Sequence, residues 1–144
     1  MKIPYKEHTY RDDVPLSGTE VAALLNEDPS RVFKTLVTTG KSGTHYVFMV
    51  PVNAELDLKK AAAAVGEKSV EMLRAAELFP LTGYIHGGCS PIGMKKRFRT
   101  VIDESAESAG RIFCSGGRLG CQIEIELSDL RRALPVESAP IAKR

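Results

Sequence analysis

The sequence has no CxxC pair, no even set of cysteines and no zinc-ligand spacing. Its three cysteines, Cys89, Cys114 and Cys121, offer neither a disulfide framework nor a metal centre. They read as buried thiols acting as small hydrophobes. The start, Met1-Lys2-Ile3-Pro4, lacks the apolar core of a secretory signal, and no apolar run approaches the length of a membrane span. A reduced, cytoplasmic protein is expected. There is no GxSxG elbow and no histidine placed by motif to activate Ser90, which argues against a hydrolase triad. No nucleotide-cofactor motif is present, so neither a cofactor nor a metal is expected. Charge of one sign is also scarce. The formal net charge is +2 over 144 residues, too little for bulk charge to establish a nucleic-acid partner. No internal repeat, low-complexity tract or linker divides the chain.

What is present is the composition of an ordinary folded protein, 43% apolar and 26% charged, long enough to bury a core. One domain over residues 1–144 is expected, with 135–144 as a loose tail. The elements alternate. Residues 5–10 suit an edge strand. Ser17 with Glu20 three residues on forms a capping box for a helix whose buried stripe is Val21, Leu24 and Leu25, stopped at Asp28-Pro29. Residues 32–39 and 45–50 form a hairpin around Gly40-Lys41-Ser42-Gly43. The second strand of the pair is apolar on both faces and so belongs at the centre of a sheet. Asp57 caps a helix with Leu58, Ala61, Ala62 and Val65 on one face and Gly66 at its C-terminal cap. Residues 68–72 suit a short strand and 73–79 a short helix stopped by Pro80. Strands follow over 98–103, 111–115 and 121–127, and Ser128 caps a last helix over 129–134. Long helices do not regularly separate the strands, so a mixed α/β fold with a partly antiparallel sheet and helices outside it is expected.

Three features could carry chemistry. The run from Gly83 to Lys96 packs glycines and Pro91 into a shaped loop. Its pair Gly87-Gly88 can offer main-chain N–H groups to a carbonyl or phosphate oxygen, or can simply make a tight turn. Lys95, Lys96, Arg97 and Arg99 follow at once, either as a solvated face or as phosphate contacts whose strength falls with salt. Lys34 is the sharpest single residue. It shares a strand face with Val32 and Leu36, so it is either an edge lysine with its head in water or an ammonium aimed at a ligand oxygen. The turn Ser115-Gly116-Gly117-Arg118 is a second pocket wall or only a hairpin connection. The three histidines, His8, His45 and His86, are scattered and read as surface or structural residues.

On His8-Thr9-Tyr10, Val32-Phe33-Lys34-Thr35-Leu36, the GGxSPxGxKK pattern beginning at Gly87 and the segment from Ser115-Gly116-Gly117 to Glu124, the chain resembles the YbaK/EbsC family of aminoacyl-tRNA deacylases. That family is related to the editing domain of bacterial prolyl-tRNA synthetase. The resemblance runs in order from about His8 to Leu134. It implies a mixed sheet curved toward a barrel and surrounded by helices. It implies a catalytic Lys34, with Tyr10, Thr35, Gly87, Gly88, Ser90, Ser115 and Gln122 around the substrate and Lys95, Lys96 and Arg97 on the tRNA. The activity it implies is clearance of mischarged tRNA in trans, Cys-tRNA(Pro) first, with Cys-tRNA(Cys), Ala-tRNA(Pro) or a non-catalytic binding module as alternatives, and prolyl-tRNA synthetase as a partner. One position departs. Family members often carry an acidic residue two before the glutamate of the last strand; here it is Gln122, an uncharged amide. The implied chemistry needs no enzyme nucleophile, because the thiol of the substrate's own cysteine attacks its ester.

Overall fold

The computed structural model describes residues 3–10, 16–85, 88–94 and 98–143. Two sheets form the frame. β2 (Phe33–Gly40), β3 (His45–Pro51), β4 (Val70–Met72), β5 (Arg99–Asp103) and β8 (Val136–Ala139) build a five-stranded sheet in the order β4-β2-β3-β5-β8. β1 (Lys6–Thr9), β6 (Arg111–Ser115) and β7 (Cys121–Glu126) build an antiparallel sheet in the order β1-β7-β6. A single parallel bridge, Val32 to Phe113, joins the two. The sheet therefore curves from one half to the other but does not close into a barrel.

The hairpin β2–β3 is antiparallel, with Lys34 opposite Val50 and Leu36 opposite Phe48. β3 is buried on both faces and pairs in parallel with β5, as its unbroken apolar run requires. Its side chains feed three clusters, of which Val47 joins the smallest, with Val37 and Cys89. Met49 packs with Phe33, Ile102, Ile112 and Leu130. Phe48 and Val50 pack with Ala61, Ala62 and Val65 of α2 (Leu58–Val65). α1 (Gly18–Leu24) covers the junction of the sheets through Ala22, which meets Val32 and Phe113.

The local signals at helix ends hold. Ser17 and Glu20 close the capping box at α1, with the Ser17 N–H donating to Glu20 Oε1 and the Glu20 N–H to Ser17 Oγ. Asp57 Oδ1 accepts the Lys59 and Lys60 N–H groups, and Gly66 ends α2 in the left-handed region. Other expectations fail for physical reasons. Leu24 and Leu58 are exposed, because the covered stripes are narrow: Val21 and Ala22 on α1, and Ala61, Ala62 and Val65 on α2. Pro80 lies inside α3 (Ala75–Thr82) and does not stop it. The carbonyl that Pro80 leaves without a donor is that of exposed Ala76, which water can serve. Ser128 does not cap α5 (Leu127–Ala133), which starts earlier, from Glu126. α4 (Ser105–Ala109), a short helix before β6, had no distinct signal.

The stretch 135–144 is not a loose tail as far as it is described. β8 pairs in parallel with β5, and Ile141 and Ala142 are fully buried. Asp103 Oδ1 accepts N–H groups from both of them, at 3.1 Å each. The Ile141 carbonyl receives the Asp57 N–H, and the Glu55 carbonyl receives that of Lys143. A carboxylate buried with a full set of donors is satisfied, and it pins the chain end.

Candidate active site between the two sheets

The strand pairing that holds β2 lapses along one edge. β4 covers only Thr38 to Gly40, and the bridge at Val32 touches only the start. Between them lies a cavity of about 220 Å3. Val32 gives its carbonyl to the Val52 N–H on the β3 side, whereas Val37 gives its carbonyl to the Leu73 N–H on the other side. Main-chain groups alternate between the two edges of a strand. The N–H and C=O of Thr35 therefore point to the open edge, into the gap between the sheets.

The cavity gathers residues far apart in sequence. β2 supplies Lys34 and Thr35, and Tyr10 enters from just past β1. Ser115 and Gln122, directly opposite each other on β6 and β7, form the far wall. Cys89 brings in the glycine loop, and Leu119 and Gly120 the second turn. Leu16, Gly18 and Val21 at the start of α1 complete the apolar side with Val52 and Leu78. Two buried polar atoms here, Thr35 Oγ1 and Gln122 Oε1, have no hydrogen-bond partner among the described residues. Unpaired buried polar atoms are costly, and both line one cavity, so they mark a place for a polar ligand. Lys34 is half-buried and makes no ion pair or hydrogen bond among the described residues.

Of the residues expected at the site, Tyr10, Lys34, Thr35, Ser115 and Gln122 line this one cavity. Gly88 and Ser90 support it from behind. The Gly88 N–H is spent on the Ile85 carbonyl at 3.0 Å, so it is not a free donor for a ligand oxygen. A methyl group on Gly88 would sit 3.2 Å from Arg118 Cα and 3.3 Å from Leu119 N. Any larger residue would push the two backbones apart by a few tenths of an ångström. Ser90 is buried and accepts the Ile92 N–H, shaping the turn after Pro91. Ser115 Oγ accepts the Gly117 N–H, which leaves its own proton to donate. Gly87, Lys95, Lys96 and Arg97 lie outside the described residues. The wall from α1 and Val52 went unforeseen. Its residues are apolar and meet the site only through the junction of the sheets, and no local motif marks them.

The thiols of this chain are poor nucleophiles. All three cysteines are buried. Burial pushes the Cys89 thiol to about 11 and the Cys114 thiol to about 12. Burial also raises Cys121, with the nearby Glu7 carboxylate adding to the effect. Among the described residues no cluster of His, Cys, Asp or Glu could hold a metal ion, and no helix is long and apolar enough to cross a membrane.

The model of the aminoacyl-tRNA editing domain matches residues 16–133. EbsC of Enterococcus faecalis, assigned as a candidate Cys-tRNA(Pro)/Cys-tRNA(Cys) deacylase, is 49% identical over 125 residues, which are 86% of this chain and 76% of EbsC. The proline–tRNA ligase of Thermosipho africanus is 30% identical over 114 residues, 71% of this chain but 20% of the ligase. Among solved structures, the hypothetical protein APE2540 superposes with a TM-score of 0.86 at 26% identity, covering 97% of this chain and 92% of its own. A candidate trans-editing enzyme for prolyl-tRNA synthetase superposes at 0.83 with 22% identity, covering 99% and 87%, a likeness of fold. The matched span contains Lys34, Thr35, both glycine turns and Gln122. The chain belongs to the aminoacyl-tRNA editing domain family, in its YbaK/EbsC group of aminoacyl-tRNA deacylases.

Proposed function

We propose that this chain acts as one unit, in the cytoplasm and in trans, to deacylate mischarged tRNA, with Cys-tRNA(Pro) as its first substrate and Cys-tRNA(Cys) also accepted. The observation that carries this reading is the cavity itself. It is small, mostly apolar, and holds a lysine and two buried oxygens on opposite walls that have no partner among the described residues. A volume of about 220 Å3 suits a small aminoacyl group.

The substrate brings the nucleophile. Its thiolate attacks the carbonyl carbon of its own ester, and the bond to the ribose oxygen of the tRNA breaks. That oxygen leaves and takes up a proton. The cysteine departs as a strained thiolactone, which water then opens. Alignment of the two groups within one molecule supplies much of the acceleration, up to about 7–11 kcal/mol in the best-oriented cases. The protein orients the group and stabilises the developing oxyanion. Lys34 is one stabiliser. Because Gly88 has spent its N–H, the Thr35 N–H at the open edge of β2 is the second. Gln122 Oε1 and Thr35 Oγ1 accept hydrogen bonds from the substrate's α-ammonium. The run Lys95, Lys96 and Arg97 meets acceptor-arm phosphates, and prolyl-tRNA synthetase supplies tRNA selectivity as a partner.

A single-turnover assay on Cys-tRNA(Pro) tests the reading. Wild type releases cysteine. Lys34→Ala loses about 100- to 1,000-fold, as removal of one oxyanion donor does, while its melting temperature holds, since Lys34 has no partner among the described residues. Equal release by both proteins removes Lys34 from the mechanism. An acyl group trapped on Cys89 or Ser90 removes substrate-thiol attack.

A further inference from the structure

The thiol route requires a base, and among the described residues none that lines the cavity supplies one. Tyr10, Thr35, Ser115 and Gln122 are not proton acceptors at neutral pH, Lys34 is a cation, and Cys89 is held as a thiol by burial. His45 lies at the far end of β3, hydrogen-bonded to Thr39 Oγ1 at 3.1 Å. His8 is placed differently. In the three-stranded sheet His8 is directly opposite Gln122, and Gln122 is directly opposite Ser115. The three side chains stand in one row on one face. The two inner members line the cavity. Tyr10, two residues beyond His8 and so on the same side of its strand, lines it as well. His8 is the outer member of the row, about one strand spacing (~5 Å) beyond Gln122.

The imidazole is also fixed in orientation. Its Nε2 lies 2.8 Å from Glu124 Oε1, and its ring is tilted against Phe113 at 5.4 Å. Glu124 is mostly buried, and Arg111 Nη1 donates to its other oxygen at 2.8 Å. Burial alone would raise the Glu124 carboxyl, but the hydrogen bonds from His8 and Arg111 outweigh it and keep the group ionised. Facing an ionised carboxylate, Nε2 must carry the proton, so in the neutral ring Nδ1 is left with a free lone pair. Lys6, opposite Glu124 on the same face of β1, and Glu126, paired with Arg111, are the other charges around the group.

We propose that His8, oriented by Glu124 and Arg111, is the proton acceptor for the substrate's thiol. This rests on the deacylase reading above. His8 Nδ1 takes the proton from sulfur, the thiolate closes onto the ester carbon, and the leaving ribose oxygen receives the proton from the imidazolium. Sulfur gains a bond to carbon and oxygen gains one to hydrogen. The imidazole returns to its starting state, and no oxidant or further reactant is needed.

The test is the pH dependence of single-turnover release from Cys-tRNA(Pro) by wild type, His8→Gln, His8→Ala and Glu124→Gln. Wild type shows a rate that rises with pH. His8→Gln keeps a donor for Glu124 but has no basic nitrogen. It is expected to be about 100-fold slower, to melt close to wild type and to lose the rising limb. His8→Ala is slow and regains rate when free imidazole is added, which a merely structural role would not produce. Glu124→Gln keeps the base but loosens it, giving a smaller loss that retains the rising limb. His8→Gln with the wild-type rate and limb overturns the inference, as does a folded His8→Ala that imidazole does not restore. Absence of release by wild type at every pH overturns the deacylase reading instead, and this inference falls with it.

Discussion

The two sheets divide the work. The five-stranded sheet is closed to water at its centre: Phe48, Met49 and Val50 are fully buried, and neighbouring strands hold β3 on both sides. The three-stranded sheet presents one apolar face to the core, through Cys114, Ile123 and Ile125. Its other face is polar, carrying His8, Gln122, Ser115 and Glu124. One sheet is a chassis that holds Lys34 still, and the other turns Ser115 and Gln122 toward the cavity. The site lies where their pairing fails. A cavity can survive there because rigid packing on one side removes the freedom to collapse into it.

The contrast predicts that stability resides at the centre of the five-stranded sheet, away from the open edge of β2 that carries Lys34 and Thr35. Phe48→Ala should cost about 3–5 kcal/mol, read as a lowered urea midpoint with an unchanged slope. A loss below about 1 kcal/mol would break the division. Asp103→Asn should come next, at about 1–3 kcal/mol at neutral pH, because an amide has one acceptor oxygen where the carboxylate has two. Burial acts to raise the Asp103 carboxyl, but hydrogen bonds from Ser105, Ile141 and Ala142 outweigh it and the group sits below its usual range. Its contribution is therefore present above the ordinary carboxyl value of about 3.9 and is lost as pH falls through the lowered one. Denaturation curves taken down the acid range should show wild type losing this increment and the variant, which never had it, changing less.

Gly18→Ala probes the junction. The added carbon would lie 2.5 Å from Val52 Cγ1, and valine is stiff. The helix must therefore shift, at about 1–3 kcal/mol or somewhat less where it moves freely. Because Gly18 and Val52 both line the cavity, the shift also moves a wall. Selectivity among small aminoacyl-tRNAs should relax, measured as the ratio of release rates for cysteine and a bulkier residue. An unchanged ratio would place selectivity on the polar sheet alone.

Sequence reading succeeds where the cause is local. The Ser17–Glu20 box, the Asp57 cap, the Gly40–Gly43 turn and the apolar run of β3 each depend on residues a few positions apart. It fails where the cause is distant. Residues 136–139 are unremarkable alone and become a strand only because β5 offers a parallel edge. Pro80 reads as a stop until the exposure of Ala76 is known. The site is legible by family pattern at Tyr10, Lys34, Thr35, Ser115 and Gln122. Gly88 is expected to offer its N–H to a ligand, yet that N–H faces Ile85, and composition does not reveal where a glycine's amide points. His8, read as a surface or structural histidine, gains a neighbourhood only once β1 is laid beside β7.

Gly88 seated against the backbone of Arg118 and Leu119 couples two stretches of chain some thirty residues apart. Neither turn can swell without pushing the other. Lengthening or bulking one in a descendant gene would need a matching change in its counterpart, so the pair should drift through evolution in step, as a single moving part.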